Sequence, residues 1–137
     1  YGNNFVKTML RLASEKEELN IVGDQQGCPT AAKDIASVLL TIAKHIHQGD
    51  AHFGTYHYCN HPATTWYDFA VKIIELAKKY RSLKVKTIRK ITTAEYPTPA
   101  MRPKNSELLV KKITDDYGVC QAEWLPFLEA WLTLLGR

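Results

Sequence analysis

The sequence has only three cysteines, an odd number, and no long apolar run, and each of these features excludes a class of protein. Three cysteines among 137 residues, all far apart, argue against a disulfide-stabilised scaffold and favour a reducing compartment, so we expect a cytoplasmic protein. No apolar run approaches the roughly 20 residues that a membrane-spanning helix needs, and no basic-then-apolar signal pattern opens the chain. We therefore expect no membrane partner.

An excess of charge of one sign is also missing. The formal net charge is only +4, and the lysines between Lys78 and Lys90 are dispersed among apolar residues. No helix-turn-helix pattern, aromatic RNA-binding platform or arginine-rich stripe accompanies them, so we expect no nucleic-acid partner. A site for an anionic small molecule explains a mild positive excess equally well.

The sequence has the proportions of apolar and charged residues that are typical of a soluble globular protein. Apolar residues make up 45% and charged residues 23% of the chain. A chain of 137 residues can bury one real core, so we expect a single domain or fragment that spans residues 1–137.

The apolar spacing predicts a mixed α/β fold that is rich in helix. Two helices are predicted to begin after the capping residues Asn4 and Thr65, and a long helix is predicted from Thr30, its cap, to His47. A short helix is predicted to end near Gly118, and a last helix covers residues 125–135. Three short strands are predicted at residues 19–22, 55–59 and 85–91. The three prolines of residues 96–103 predict an ordered extended loop.

The predicted strand at residues 55–59 lies between two helices, which is typical of a strand added to the edge of a larger parallel sheet. The chain does not supply such a sheet. We therefore expect this strand and the long helix to dock on a further domain.

Two patterns that suggest chemistry are interpreted as incidental. His57, Cys59 and His61 alternate, but Asn60 and Pro62 end the strand and no second ligand pair follows, so no metal site is predicted. Tyr80 and Lys84 have the spacing of a proton-donating Tyr-x-x-x-Lys pair, but they fall where a helix ends, and no glycine-rich phosphate loop precedes them. No catalytic residue is predicted in this chain.

Three features could contact a ligand, two of them an anion, and each has a plain structural alternative. Asn3 and Asn4 at a helix start present free amides suited to a diphosphate, or form a simple N-cap. Arg102, in a stiff loop, could bind phosphate oxygens in a bidentate fork, or be a surface arginine. Gln25, Gly27 and Thr30 could contact a base edge, although loops of this composition are common.

Five blocks in one order resemble the dTDP-4-dehydrorhamnose reductase family, a branch of the extended short-chain dehydrogenases/reductases. They are residues 2–10, 24–30, 54–57, 64–67 and 96–106, with the motifs Asn-Asn-Phe, Asp-Gln-x-Gly-x-Pro-Thr and Tyr-Pro-Thr-Pro-Ala-x-Arg-Pro. The chain departs from the family at Leu109, where an Asp or Asn usually caps a helix. It also departs at Lys33, where some members carry an acidic residue for metal-assisted dimer contacts.

The resemblance implies the C-terminal, substrate-binding portion of an extended Rossmann-type reductase. In this family an N-terminal Rossmann domain binds NADPH and carries the catalytic Tyr and Lys, and the C-terminal part closes over the dTDP-sugar. The implied partners are a dTDP-sugar, that N-terminal domain and, in a dimer, a second copy. We expect the N-terminal domain to be absent from this chain, and the chain alone to hold no cofactor and to be inactive. The implied substrate-binding residues are Asn3, Asn4, Phe5, Lys7, Gln25, Gly27, Pro29 and Arg102.

A second interpretation has a different function. Relatives of this reductase fold serve as non-catalytic regulatory subunits, and this chain could be such an interaction module. Preference for dTDP-sugars distinguishes the reductase from the regulatory module.

Overall fold

A computed structural model describes residues 4–135 and shows a helix-rich mixed α/β arrangement, which confirms the predicted fold class. The helices are α1 (Phe5–Glu15), α2 (Ala32–His47), α3 (Trp66–Ala77), α4 (Lys111–Tyr117) and α5 (Trp124–Leu135). The strands are β1 (Glu18–Val22), β2 (Gln26–Gly27), β3 (Thr64–Thr65) and β4 (Thr87–Ile91), and a 3-10 turn covers Thr93–Glu95.

The four strands form two separate pairs. β1 and β4 are parallel, with Leu19 opposite Ile88 and Ile21 opposite Lys90. β2 and β3 are antiparallel and only two residues long. β4 begins later than predicted, because the amide of Val85 donates to the carbonyl of Ala13 at 2.9 Å and is held at the end of α1.

The main core lies between α1, α3, α5 and the inner face of β1. Ala13 and Ala70 are fully buried, which lets α1 and α3 approach closely, and Ile73 and Ile74 fill the centre of the layer. Leu132 of α5 covers the other side of α3. This packing fixes the N-terminal ends of α1 and α3 beside each other.

A second, smaller apolar cluster joins α2 to α4. Val38 packs there with Ile113, Tyr117 and Val119. Val38 is the one buried residue of α2, so most of this long helix is open to solvent in the described part of the chain.

Three of the predicted helix ends are confirmed. Asn4 Oδ1 accepts from the amide of Lys7 at 2.9 Å and caps α1. Thr65 Oγ1 accepts from the amide of Asp68 at 3.0 Å and caps α3. Gly118 adopts the left-handed conformation that ends α4.

The prediction that Thr30 caps α2 is wrong. The N-cap of α2 is Ala31, which forms no side-chain cap. The hydroxyl of Thr30 instead donates to the carbonyl of Cys28 at 2.9 Å and accepts from the amide of Asn60 at 3.3 Å. It is therefore used to hold two loops together.

The segment of residues 55–59, predicted as a strand that docks on a further domain, forms no strand within the described part of the chain. This segment has no ladder partner among residues 4–135, and a β-branched, aromatic sequence cannot form a strand without a neighbouring backbone. Among the helices of residues 4–135, none is long and apolar enough to cross a membrane.

Candidate functional site

The loop of residues 24–30 lies between β3 and the segment that follows the proline-rich loop. Gln26 donates its amide to the carbonyl of Lys104 at 2.8 Å and accepts from the amide of Ser106 at 3.0 Å. On its other side, β2 pairs with Thr64 and Thr65. Three blocks that are distant in sequence therefore meet at one loop.

A pocket of about 150 Å³ opens at this junction. An apolar cavity of about this volume holds a single six-membered ring, as benzene does in an engineered protein cavity. The pocket is lined by Gly27, Cys28, Pro29, Thr30, Tyr58, Cys59, Thr64, Thr65, Trp66, Phe69, Ser106 and Leu108. Of the predicted site residues, Gly27 and Pro29 line it directly.

An aromatic cluster forms one wall of the pocket. The rings of Phe5 and Trp66 are 4.8 Å apart between centroids, and Phe5 stacks on Phe69 at 5.6 Å. Phe69 in turn meets the edge of Trp124 at 5.3 Å. Phe5 therefore contributes to the site by packing behind Trp66, whose side of α3 faces the pocket and is 37% exposed.

Gln25, which the sequence predicts to contact a base edge, lies with its side chain against the 3-10 turn. It is buried, its Nε2 donates to Thr93 Oγ1 at 3.0 Å, and its carbonyl accepts from the amide of Trp66 at 3.4 Å. These bonds anchor the loop against the 3-10 turn and the start of α3. Gln25 thus positions the pocket loop, and its amide nitrogen is occupied.

The close approach of the Ser106 segment requires a glycine at position 27. A Cβ at this position would lie 2.5 Å from Ser106 Oγ, which itself donates to the carbonyl of Gln26 at 3.0 Å. Because a side chain would displace this hydroxyl, glycine lets the two segments meet beside the pocket.

The remaining predicted contacts lie at the edge of this site or outside it. Asn4 is exposed at the start of α1 with its side-chain oxygen engaged by Lys7, so an anion at this end would be bound by backbone amides. Lys7 is half-buried in the first turn of α1. Asn3 lies outside the described residues. Arg102 is exposed, two residues before the Lys104 carbonyl that binds the pocket loop, and does not line the pocket.

Trp66, Phe69, Tyr58 and Leu108 line the pocket but were not predicted as site residues. The sequence signal for Trp66 was present in the Thr-Thr-Trp-Tyr block, but its helix-start pattern was interpreted as a cap. Leu108 and Tyr58 carry no local signal, because only the folding of distant segments brings them to the pocket.

The two patterns interpreted as incidental are dispersed in the structure. Within residues 4–135, no group of three or more His, Cys, Asp or Glu side chains could hold a metal ion. Tyr80 lies beyond the end of α3, and its hydroxyl pairs with that of Thr133 on α5 at 2.9 Å. Tyr80 and Lys84 do not share a helix, as the Tyr-x-x-x-Lys chemistry would need.

The chain is similar in sequence to known proteins, and the two relatives that follow carry the same name. The chain is 48% identical over 126 residues to a dTDP-4-dehydrorhamnose reductase of Aggregatibacter actinomycetemcomitans, with 90% of this chain and 43% of the relative covered. It is 40% identical over 125 residues to the Escherichia coli K12 protein of the same name, with 90% and 42% covered. The chain therefore spans less than half the length of these curated relatives.

Solved structures of proteins with the same name also resemble this chain. A dTDP-4-dehydrorhamnose reductase from Clostridium acetobutylicum superposes with a TM-score of 0.80 at 38% identity, over 99% of this chain and 45% of that one. A Bacillus anthracis enzyme of the same name, solved in complex with NADP, gives a TM-score of 0.80 at 36% identity, over 98% and 44%. The family described as RmlD substrate binding domain matches residues 1–136. The chain belongs to the RmlD substrate binding domain family.

Proposed function

We propose that this chain is the part of an NADPH-dependent dTDP-4-dehydrorhamnose reductase that binds the dTDP-sugar. The complete enzyme would reduce dTDP-4-dehydro-L-rhamnose to dTDP-L-rhamnose, a precursor of cell-surface polysaccharide. The observation that carries the proposal is the convergence of three family blocks, residues 24–30, 64–67 and 96–106, on one pocket of ring size.

The substrate-site residues of the proposal are Asn3, Asn4, Phe5, Lys7, Gly27, Pro29 and Arg102, joined by Trp66, and Gln25 would serve the site by holding the pocket loop in place. A ring of the substrate would pack against Trp66, which Phe5 supports from behind. The helix start at Asn4 and the guanidinium of Arg102 supply the positive charge that suits a diphosphate.

NADPH, held by the part of the enzyme that precedes this chain, would supply the hydride for the 4-keto carbon. More than half of each of these reductases lies outside the matched region, and the Bacillus anthracis relative was solved with NADP. The residues of this chain would bind and orient the sugar nucleotide and exclude water from it. We therefore propose that this chain alone does not oxidise NADPH.

An apolar surface on α2 supports an N-terminal Rossmann domain as the second partner. Ile35, Leu39, Leu40 and Ile46 are between 42% and 64% exposed on this one helix, and we call them the α2 apolar surface. An exposed apolar patch of this kind marks an interaction site. We assign it to the N-terminal Rossmann domain, together with residues 54–58, which have no strand partner in the described chain.

Calorimetric titration of the chain with dTDP-L-rhamnose, and with ADP-glucose for comparison, tests the proposal. We expect Trp66→Ala to weaken dTDP-L-rhamnose binding by about ten- to a hundredfold, since stacking on an aromatic ring contributes about 1–3 kcal/mol. Phe53→Ala is the matched control, because Phe53 is 82% exposed and does not line the pocket. Equal affinity for the two nucleotides, or no effect of Trp66→Ala in a folded variant, would exclude this function and favour the regulatory module.

A further inference from the structure

Asn60 is a completely buried polar residue next to the pocket. It is 0% exposed and directly follows Tyr58 and Cys59, two residues that line the pocket. Its backbone amide donates to Thr30 Oγ1 at 3.3 Å, and its side-chain Nδ2 donates to Asp34 Oδ2 at 2.5 Å. Asn60 therefore contacts both the loop that carries a second wall of the pocket and the first turn of α2.

Residues that precede α5 hold the backbone on each side of Asn60. Gln121 Nε2 donates to the carbonyl of Cys59 at 3.0 Å, and the amide of His61 donates to the carbonyl of Ala122 at 3.0 Å. Because these bonds fix the backbone before and after Asn60, its side chain starts from a fixed position. The groups that it binds are therefore placed relative to the pocket.

The start of α2 is joined directly to the wall of residues 28–30. The amide of Asp34 donates to the carbonyl of Ala31 at 3.0 Å, and Ala31 follows Thr30 in the chain. The hydroxyl of Thr30 in turn donates to the carbonyl of Cys28 at 2.9 Å. A displacement of Asp34 would therefore move this wall with it.

The chemistry of the pair determines how the Asn60 carboxamide is oriented. An ionised carboxylate only accepts hydrogen bonds, so the amide nitrogen of Asn60 has to face Asp34. The oxygen Oδ1 of Asn60 is then buried and has no hydrogen-bond partner among residues 4–135. Burying an unpartnered carbonyl oxygen lowers the stability of a fold, so stability alone is a poor explanation for an asparagine at this position.

We propose that Asn60 is a positioning residue of the dTDP-sugar pocket. Its hydrogen bond to Asp34 holds the wall of residues 28–30 at a fixed distance from the wall of residues 58–59. Asn60 does not line the pocket, so it acts through the groups that it binds. The effect on ligand binding rests on the proposed function, whereas the placement of the two walls does not.

The size of the pocket makes this distance important. A pocket of about 150 Å³ has room for one six-membered ring. Dispersion contacts weaken steeply when a gap opens between atoms, so a small displacement of either wall removes contacts with that ring. A pocket whose walls are held in place before the ligand arrives also loses less conformational entropy on binding.

Calorimetric titration with dTDP-L-rhamnose at pH 7 tests the proposal with an exchange of the two side chains. Asn60→Asp places two carboxylates against each other, and we expect it to weaken binding by about tenfold or more. Asp34→Asn keeps an acceptor oxygen for Asn60, and we expect an affinity within about threefold of the wild type. In the double variant, the amide at position 34 can donate to the carboxylate at position 60, so we expect binding to recover to within about threefold.

Leu132→Val is the control for a loss of stability alone. Leu132 is buried in the main core and does not line the pocket, so this change loosens the packing without altering the two walls. We expect wild-type affinity for this variant at temperatures where circular dichroism shows that every form is folded. Hydrogen exchange of peptides over residues 26–31 and 57–61 measures the walls directly, and we expect faster exchange in Asn60→Asp and recovery in the double variant.

Three results would overturn the proposal. They are wild-type affinity in folded Asn60→Asp, an equal loss of affinity in Leu132→Val, and a double variant that binds no better than Asn60→Asp. If Asn60→Asp does not fold, the double variant decides, because its recovery of both folding and affinity requires the restored bond. If the wild type binds no dTDP-L-rhamnose, the proposed function fails, and hydrogen exchange of the two walls alone supports or excludes the positioning role.

Discussion

Asp24 Oδ1 accepts two hydrogen bonds from Thr93, one from its amide at 2.9 Å and one from its hydroxyl at 2.7 Å. These two bonds hold the pKa of Asp24 below its usual value of 3.8. Because the folded-state pKa is depressed, the ionised Asp24 stabilises the fold above the unfolded-state value, and this stabilisation is lost as the pH falls through the folded-state pKa. The contact fixes one end of the pocket loop.

We predict that Asp24→Asn lowers the free energy of unfolding at pH 7, and that this difference shrinks as the pH falls below about 3.8 and through the lower folded-state pKa of Asp24. Urea unfolding at pH 7, 5, 4 and 3 measures this difference. Thr93→Ala serves as the partner variant, since it removes the same hydroxyl bond and should flatten the same part of the pH profile. Parallel profiles for wild type and Asp24→Asn would contradict the assignment.

A second prediction concerns the approach of Gly27 to Ser106. We expect Gly27→Ala to destabilise the fold by about 1–3 kcal/mol, because the new methyl group displaces a hydroxyl that hydrogen-bonds to Gln26. Ser106→Ala alone should cost about 1 kcal/mol. The double variant should recover part of the loss, so that a double-mutant cycle by urea unfolding gives a favourable coupling; additive effects would show that the two residues do not interact.

A third prediction tests Arg102 in the complete reductase. We expect Arg102→Ala to raise the KM for the dTDP-sugar by about tenfold or more while leaving the KM for NADPH nearly unchanged, because a guanidinium–phosphate contact serves the sugar nucleotide only. Arg89→Ala is the control, since Arg89 is an exposed arginine on β4 that pairs with Glu18 at 3.1 Å. Equal changes in both KM values would remove Arg102 from the substrate site.

A fourth prediction concerns the α2 apolar surface in the isolated chain. We expect this chain to self-associate through that surface, and Leu39→Lys with Leu40→Lys to reduce the association with a stability change below about 0.5 kcal/mol. Leu134→Lys provides a matched control, because Leu134 is 68% exposed on α5. Light scattering over a range of concentrations measures the effect, and a chain that is monomeric at every concentration would contradict it.

Local signals in the sequence were sufficient to predict most helix ends and the strands β1 and β4. Asn4 and Thr65 act through hydrogen bonds to residues three positions away, so their role is visible in a short window. Residues 55–59 have strand composition but no pairing backbone among residues 4–135, and pairing cannot be deduced from the segment itself. Thr30 failed as a cap because its hydroxyl is engaged by a residue 30 positions away.

The same distinction between local contacts and contacts to distant segments applies to the candidate site. Gly27 and Pro29 were found through a compact motif, whereas Leu108 and Tyr58 reach the pocket only after distant segments pair. The base-contacting role of Gln25 stays a prediction, whereas its hydrogen bond to Thr93, 68 positions away, could not be deduced from the motif. Residue type alone could not distinguish these two uses of an amide.

The pairing of β1 with β4 determines the order in which the chain can fold while it is being made. A ribosome adds about 5–20 residues per second, so Glu18–Val22 leaves it seconds before Thr87–Ile91 is synthesised. During that interval α1 and β1 have neither their partner strand nor α3, and the side chains of Met9, Leu10 and Leu19 remain exposed to water. These future core residues are therefore apolar surface that a chaperone can bind on the growing chain before α3 and β4 are made.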